Sequence, residues 1–357
     1  MTARYAVGAI PIVLLCAALS GCSGSKSANN EASQTQNGSA TQLTGAGSTF
    51  VYPFFSRAFY EYSKQHGNVN VNYQSIGSGG GIQQFTQKTV DFGASDVPMN
   101  AEELKRAKDP VIQIPVALGG ESIVYNLPGL RAPLRLDRQT LADIYLGKIS
   151  NWNSPQIAKL NAGVMLPNLP IAVVHRSDGS GTTYIFTDFL SGVSAEWLKT
   201  VGRGKSVAWR APSSVGGKGN EGVAGQVRNT PGAIGYVELA YALANNMQAA
   251  VIENASHSYV GDSADSVRAA AATEPSVSAS HYSIVNRPGP KSYPIAGYTW
   301  AMVYQHPTDS ARARLVRDVL QWTVGQKGQA IAGTLQYVPL PSSVQTAAQN
   351  ALKRMQL

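Results

Sequence analysis

Cysteine is almost missing from this 357-residue chain: Cys16 and Cys22 are the whole supply, and both fall in the first 22 residues. That excludes a disulfide scaffold. The five histidines (His66, His175, His257, His281 and His306) are too dispersed for a local metal motif, so no metal centre or other cofactor is expected. Charge is sparse as well, at 14% of residues, and the net +8 is scattered. The densest basic cluster is Lys105-Arg106-Ala107-Lys108, and no run of five basic residues occurs. Without aromatic residues interleaved among the basic ones, a nucleic-acid groove has neither its electrostatic stripe nor its stacking platforms. Long apolar runs are missing too: the stretch Ala6 to Leu19 has 14 residues, short of the ~20 that a spanning helix needs. Thirty-five Gly and 19 Pro with no G-X-Y period exclude collagen and point to many tight turns.

What is present is size and apolar material. A chain of this length with 43% hydrophobic residues suits two domains of about 150 residues each. Ala6 to Leu19, following Arg4, has the length of a signal-peptide apolar region. It ends in Leu19-Ser20-Gly21-Cys22, which resembles the lipobox of bacterial lipoproteins. That resemblance implies a signal peptide over residues 1–21 and an acylated Cys22. The exported protein would then be held by its N-terminal lipid, facing the periplasm or cell exterior. A plain secretory signal with an incidental cysteine is the alternative. From Ser23 to Gln42 the only apolar residues are three alanines, which reads as a flexible linker with a reach of ~25 Å. The folded body is expected to begin near Leu43.

From there, short apolar or alternating runs alternate with helical patterns, the signature of an α/β protein. Strands are expected at Val69–Tyr73, Val111–Leu118, Ile123–Tyr125, Ile171–Val174, Ala233–Val237 and Ile295–Tyr304. Helices are expected at Pro53–Gln65, Asn100–Lys108, Leu141–Leu146, Thr182–Leu190 and Asp309–Thr323. Asn100 and Glu103 are spaced as a capping box. Phe54, Phe55, Phe59 and Tyr62 form an aromatic stripe at helical spacing, which reads as core.

Four segments of small residues fall where a strand gives way to a helix. They are Gly45-Ala46-Gly47-Ser48-Thr49-Phe50, Ile76-Gly77-Ser78-Gly79-Gly80-Gly81, Val90-Asp91-Phe92-Gly93-Ala94-Ser95-Asp96 and Arg176-Ser177-Asp178-Gly179-Ser180-Gly181-Thr182. The first N–H groups of a helix have no intrahelical acceptor, and the macrodipole places partial positive charge there. Glycine lets a ligand approach the backbone, and Ser or Thr adds a hydroxyl donor. Each segment alone reads as an ordinary capped turn. Together, with one arginine, they make a many-donor cage for an anion.

Familiar phosphate and hydrolase motifs do not fit. Gly204-Lys205-Ser206 has Lys199 where a P-loop requires its first glycine, and Gly45/Gly47 is followed by Phe50 where a dinucleotide fingerprint requires glycine. Ser78 and Ser180 have Ile76 and Asp178 where a nucleophile elbow requires glycine.

The chain resembles the substrate-binding lipoprotein, the phosphate-binding protein, of the bacterial high-affinity phosphate ABC importer. The shared segments are LTGAGSTF from Leu43, VNYQSIGSGGGIQQF from Val71, TVDFGASDVPM from Thr89, LADIYLGKISNWN from Leu141, VVHRSDGSGTT from Val173, GGKGNEGVA from Gly216 and PGAIGYVE from Pro231. They run in family order over nearly the whole chain after Leu43. Departures are small: His175 stands where relatives often have Arg, and Glu221 where Asp is usual. The stretch Ser256 to Lys291 matches poorly.

The resemblance implies an α/β, two-lobed periplasmic-binding-protein fold of type II, with the ligand in the cleft between the lobes. Lobe one would comprise residues 43–126 and 292–357, and lobe two residues 127–291. Its phosphate contacts would be Ser48, Thr49, Phe50, Ser78, Asp96, Arg176, Ser180, Gly181 and Thr182. The implied partners are inorganic phosphate and the permease subunits of an ABC importer, and no catalytic residue is expected.

Chemically, Thr49, Ser78, Ser180 and Thr182 offer hydroxyl donors, Phe50 and Gly181 backbone donors, and Arg176 a planar fork. Asp178 is expected to orient Arg176. Asp96 suits an anion site only if the ligand brings a proton; otherwise it is a structural cap of the turn before Pro98. Two rival readings are a binder of sulfate or molybdate, which would not need Asp96, and an exported phosphate-ester hydrolase using Ser180 or Ser78 with His175 as base.

Overall fold

A computed structural model describes residues 40–130 and 132–357. The expected signal peptide, Cys22 and most of the expected linker lie outside the described residues. The chain runs β1 (Thr41–Gly47), α1 (Tyr52–Gln65), β2 (Val69–Ser75), α2 (Ser78–Thr86), β3 (Phe92–Ser95), α3 (Ala101–Ala107) and β4 (Val111–Tyr125). It continues through β5 (Arg135–Leu136), α4 (Arg138–Tyr145), α5 (Pro155–Leu160), β6 (Ala172–Arg176), α6 (Gly181–Val193), α7 (Ala195–Thr200), β7 (Ser214–Gly217), α8 (Gly219–Asn229), β8 (Ala233–Glu238) and α9 (Leu239–Ala244). It closes with β9 (Gln248–Ala249), β10 (Val251–Glu253), β11 (Tyr259–Val260), α10 (Ala264–Ala272), β12 (Ala296–Tyr304), α11 (Ser310–Val324), α12 (Gln326–Thr334) and α13 (Ser342–Leu352). None of the described helices is long and apolar enough to cross a membrane.

The main sheet is ordered β2-β1-β3-β12-β4-β8-β6-β7, with β9 also pairing β4. The strands β2, β1 and β3 are parallel to one another, and so are β8, β6 and β7. The long antiparallel strand β4 joins the two groups. Its residues up to Gly120 pair β12, and Glu121 to Tyr125 pair β8. The sequence suggested two strands separated at Gly119-Gly120, but the strand continues through them. A Cβ at Gly120 would stand 2.0 Å from Asp262 Oδ1, so the glycine serves close approach and not a turn. Nearly every residue of β4 is buried, which explains its continuous apolar run.

Other expected elements appear with shifted ends. Thr41 and Gln42, read as linker, belong to β1, where the Thr41 N–H donates to Asn68 O at 2.8 Å. The capping box of α3 is complete: Asn100 Oδ1 accepts from the Glu103 N–H at 2.9 Å, and Glu103 Oε2 accepts from the Asn100 N–H at 2.9 Å. The aromatic stripe of α1 is core, with Phe54, Phe55, Phe59 and Tyr62 buried and Phe55 packed edge-on to Tyr73.

Where β4 changes partners, three carboxyl groups are buried. Glu121 and Glu238 lie directly opposite each other across β4 and β8. Among the described residues, both oxygens of Glu121 and Oε1 of Glu238 lack a hydrogen-bond partner, and burial raises both groups well above the usual carboxylate range. Asp262 as a residue is only part-buried, yet its Oδ1 is buried and has no partner among the described residues, while Ser122 Oγ donates to Oδ2 at 2.8 Å. Burial pushes Asp262 up to about 7.

A carboxyl raised on folding binds more protons in the native state than in the unfolded state, so it costs stability as pH rises through the window between the two values. Asp262→Asn should therefore stabilise the protein at pH 8 by on the order of 3 kcal/mol and have little effect near pH 4. Denaturant unfolding at both pH values checks this. An equal effect at both would assign the change to packing.

Candidate functional site

The four small-residue segments converge. Gly47 ends β1 at φ +143°, a conformation open to glycine, and a Cβ there would stand 1.9 Å from Ala94 O. Ser48, Thr49 and Phe50 then turn into α1, with Tyr73 Oη donating to Ser48 O at 2.9 Å, Tyr241 Oη to Thr49 O at 2.7 Å and Tyr337 Oη to Phe50 O at 2.5 Å. Ser78 opens α2. Ser180 caps α6, its Oγ accepting from the Thr183 N–H at 3.0 Å. The third segment differs from the others: α3 begins only at Ala101, so Asp96 projects from the end of β3 and not from a helix start.

Ser48, Thr49, Phe50, Ser78, Asp96, Arg176, Ser180, Gly181 and Thr182 are all buried, with none above 4% exposed among the eight that carry side chains. Gly181 sits against Asp96 and Ser78. A Cβ there would be 2.6 Å from Asp96 Cβ and from Ser78 Oγ, so any side chain would close the space between them. The N–H groups of Phe50, Gly181 and Thr182 have no protein acceptor among the described residues. Helix α6 therefore presents free first-turn donors to the interior.

The electrostatics come from two acidic groups and one cation. Asp178 takes the Arg176 fork, Nε to Oδ1 at 2.8 Å and Nη2 to Oδ2 at 2.5 Å, and also accepts the Gly219 N–H at 3.0 Å. Burial opposes the charge of Asp178, but Arg176 and Gly219 outweigh it and hold it below the ordinary carboxylate range. Burial likewise opposes the charge of Arg176, and Asp178 outweighs it, raising the guanidinium above its ordinary value. Arg176 Nη1 donates to Thr182 Oγ1 at 3.1 Å, so three of its five N–H donors are engaged.

Asp96 is the unusual member. Its carboxylate accepts from the hydroxyls of Ser48, of Thr299 at 2.7 Å and of Ser78 at 3.3 Å. Burial raises its pKa, while the Ser48 and Thr299 hydroxyls, Arg176 and Ser78 pull it back down. The arrangement is a cage of donors with one charge-bearing acceptor.

Two residues were missed from the sequence. Asn220 donates through Nδ2 to Thr49 Oγ1 at 2.7 Å and to Thr182 Oγ1 at 3.3 Å. Its segment, GGKGNEGVA, was visible as another small-residue run leading into a helix. Thr299 gave no signal; it lies at the irregularity where the β12 to β4 register shifts. His175 stacks on Trp209, ring centroids 4.8 Å apart, with Nδ1 2.9 Å from Arg176 O, and burial lowers its pKa.

A family model described as "PBP superfamily domain" matches residues 32–327. The phosphate-binding protein PstS of Pasteurella multocida (strain Pm70) is 48% identical over 308 residues, covering 85% of this chain and 88% of that protein. The chain belongs to the PstS family of phosphate-binding proteins. Membership reaches far: PstS of Methanocaldococcus jannaschii is 34% identical over 96% of this chain and 92% of that protein.

Solved structures agree on the PstS fold. A Clostridium perfringens protein solved with bound phosphate superposes with TM-score 0.62 at 19% identity, over 84% of this chain and all of that one. An ancestral soluble variant of the human phosphate binding protein gives TM-score 0.71 at 22% identity, over 87% and 93%. The chain therefore has the α/β periplasmic-binding-protein fold of its PstS relatives.

Proposed function

We infer that the chain binds inorganic phosphate outside the cytoplasmic membrane and delivers it to the permease of an ABC importer. It is a transport component, not an enzyme. One observation carries the reading: a buried carboxylate, Asp96, shares its cage with Arg176 and the free N–H groups of α6. Donors alone suit any oxyanion. An acceptor among them suits an anion that still carries a proton, and phosphate has one near neutral pH whereas sulfate has none.

The contacts are Ser48, Thr49, Phe50, Ser78, Asp96, Arg176, Ser180, Gly181 and Thr182, held between lobes of residues 43–126 with 292–357 and residues 127–291. The change of β4 partners between Gly120 and Glu121 supports a crossing between the lobes within β4, a few residues before the 126/127 boundary, and binding closes the lobes by a hinge. The hydrolase reading has little support. Ser180 Oγ is committed to capping α6, Ser78 Oγ to Asp96, and the His175 ring to Trp209. Calorimetric titration of the acyl-free body tests the function. Phosphate should bind and sulfate should not, whereas equal binding of both would leave a general oxyanion binder.

The anchor is the N-terminal lipid on Cys22, with residues 1–21 removed as signal peptide and the following residues up to about 42 as tether. Cys22→Ser should move the protein from the membrane fraction to the soluble exported fraction with phosphate affinity intact. Continued pelleting with membranes would remove the lipid-anchor reading. A single acyl chain binds membranes only marginally, so stable anchoring needs more than one on that cysteine.

A further inference from the structure

Asn220 is fully buried at the start of α8, and its amide can be oriented without ambiguity. Its Oδ1 lies 2.9 Å from the Glu238 N–H, a partner that only an oxygen can accept from. Nδ2 must therefore face the two threonines, 2.7 Å from Thr49 Oγ1 and 3.3 Å from Thr182 Oγ1. Thr49 Oγ1 also accepts the Asn220 backbone N–H at 3.2 Å, and Thr182 Oγ1 also accepts Arg176 Nη1 at 3.1 Å.

A hydroxyl has one proton and two lone pairs. At both threonines the lone pairs are taken by N–H groups that cannot themselves accept. Neither threonine hydroxyl donates to a protein acceptor among the described residues. Each proton is thereby left with one use, donation to something in the cage.

We propose that Asn220 is a positioning residue that fixes the polarity of the Thr49 and Thr182 hydroxyls, making both obligate donors and thereby setting which way round the anion sits. On that side the cage accepts only an unprotonated ligand oxygen. The ligand's own proton is directed to Asp96. The inference rests on phosphate being the ligand, and it adds a division of the site into a donor face organised by Asn220 and an acceptor face at Asp96. Asn220 also ties the β1 to α1 loop to α6 and α8, so the same amide that orients the donors holds distant segments together.

The test is a coupling measurement on phosphate affinity by calorimetry, with Arg176→Ala run beside it. Asn220→Ala should weaken phosphate binding by about 10- to 100-fold, the scale of losing hydrogen bonds to a charged group. In Thr49→Val or Thr182→Val backgrounds the same substitution should cost visibly less, because one of the hydroxyls it organises is already gone. If Asn220→Ala does not fold, Asn220→Ser, which keeps a polar atom at the position but is too short to reach both threonines, takes its place with the same expectation. Native-like affinity, or an equal loss in all backgrounds, would overturn the inference while Arg176→Ala still reported a working phosphate site. A native protein that binds no phosphate would overturn the underlying reading and this one with it.

Discussion

Replacing Arg176 with alanine should cost about 2–5 kcal/mol of phosphate binding, the range for truncating one member of a buried charged pair. The guanidinium is almost wholly enclosed, and its remaining donors have no protein acceptor among the described residues. Removing it leaves the anion facing neutral dipoles and the Asp96 carboxylate, with no cation to offset either charge. The substitution also strips Asp178 of its fork, leaving the Gly219 N–H as its remaining backbone donor from α8, so unfolding stability without ligand should fall too. The two effects can be separated. In an Arg176→Ala/Asp178→Ala double variant the orphaned carboxylate is gone, so stability without ligand should recover while affinity stays low. Calorimetry and denaturant unfolding read the two quantities. Unchanged affinity in Arg176→Ala would put the arginine outside the site.

How far the site was legible follows from where its information lies in the chain. The Ser, Thr and Gly residues of the first, second and fourth loops are encoded locally, because a helix start with small residues and hydroxyls looks the same in any fold. Asp96 was legible as a chemical oddity, although its loop does not open a helix. Asn220 acts only through Thr49 and Thr182, far away in sequence, and Thr299 acts through a register shift between β12 and β4. Contacts of that kind exist only after the sheet has formed.

The strand pattern shows the same limit. Gly119-Gly120 looks like a turn in one dimension, and it becomes a continuous strand because Asp262 occupies the space a side chain would need. The acidic cluster of Glu121, Glu238 and Asp262 was equally invisible, since its burial is produced by β4 passing from one partner to another.

The largest expected effect is on selectivity, at Asp96. With three hydroxyls already donating to its carboxylate, and burial raising its pKa, Asp96 is poised to accept one more proton-bearing partner. Phosphate near neutral pH can supply that proton. Sulfate cannot, and its oxygens would face a buried negative charge with nothing between them. A site built around a ligand hydroxyl typically rejects the analogue lacking it by about 10⁴–10⁵, and the native protein should prefer phosphate to sulfate on that scale.

Asp96→Asn keeps the shape and removes the charge. Its Oδ1 can still take the Ser48 and Thr299 hydroxyls, while its Nδ2 can donate to an unprotonated oxygen. Sulfate binding should then appear or strengthen and the phosphate-to-sulfate ratio should collapse, measured by calorimetric titration of both anions against both proteins. The donor face at Thr49 and Thr182 is untouched by this change, so the gain for sulfate should come without a comparable loss for phosphate. A variant that keeps the full native ratio would show that Asp96 is only a cap on its turn, with discrimination arising elsewhere in the cage.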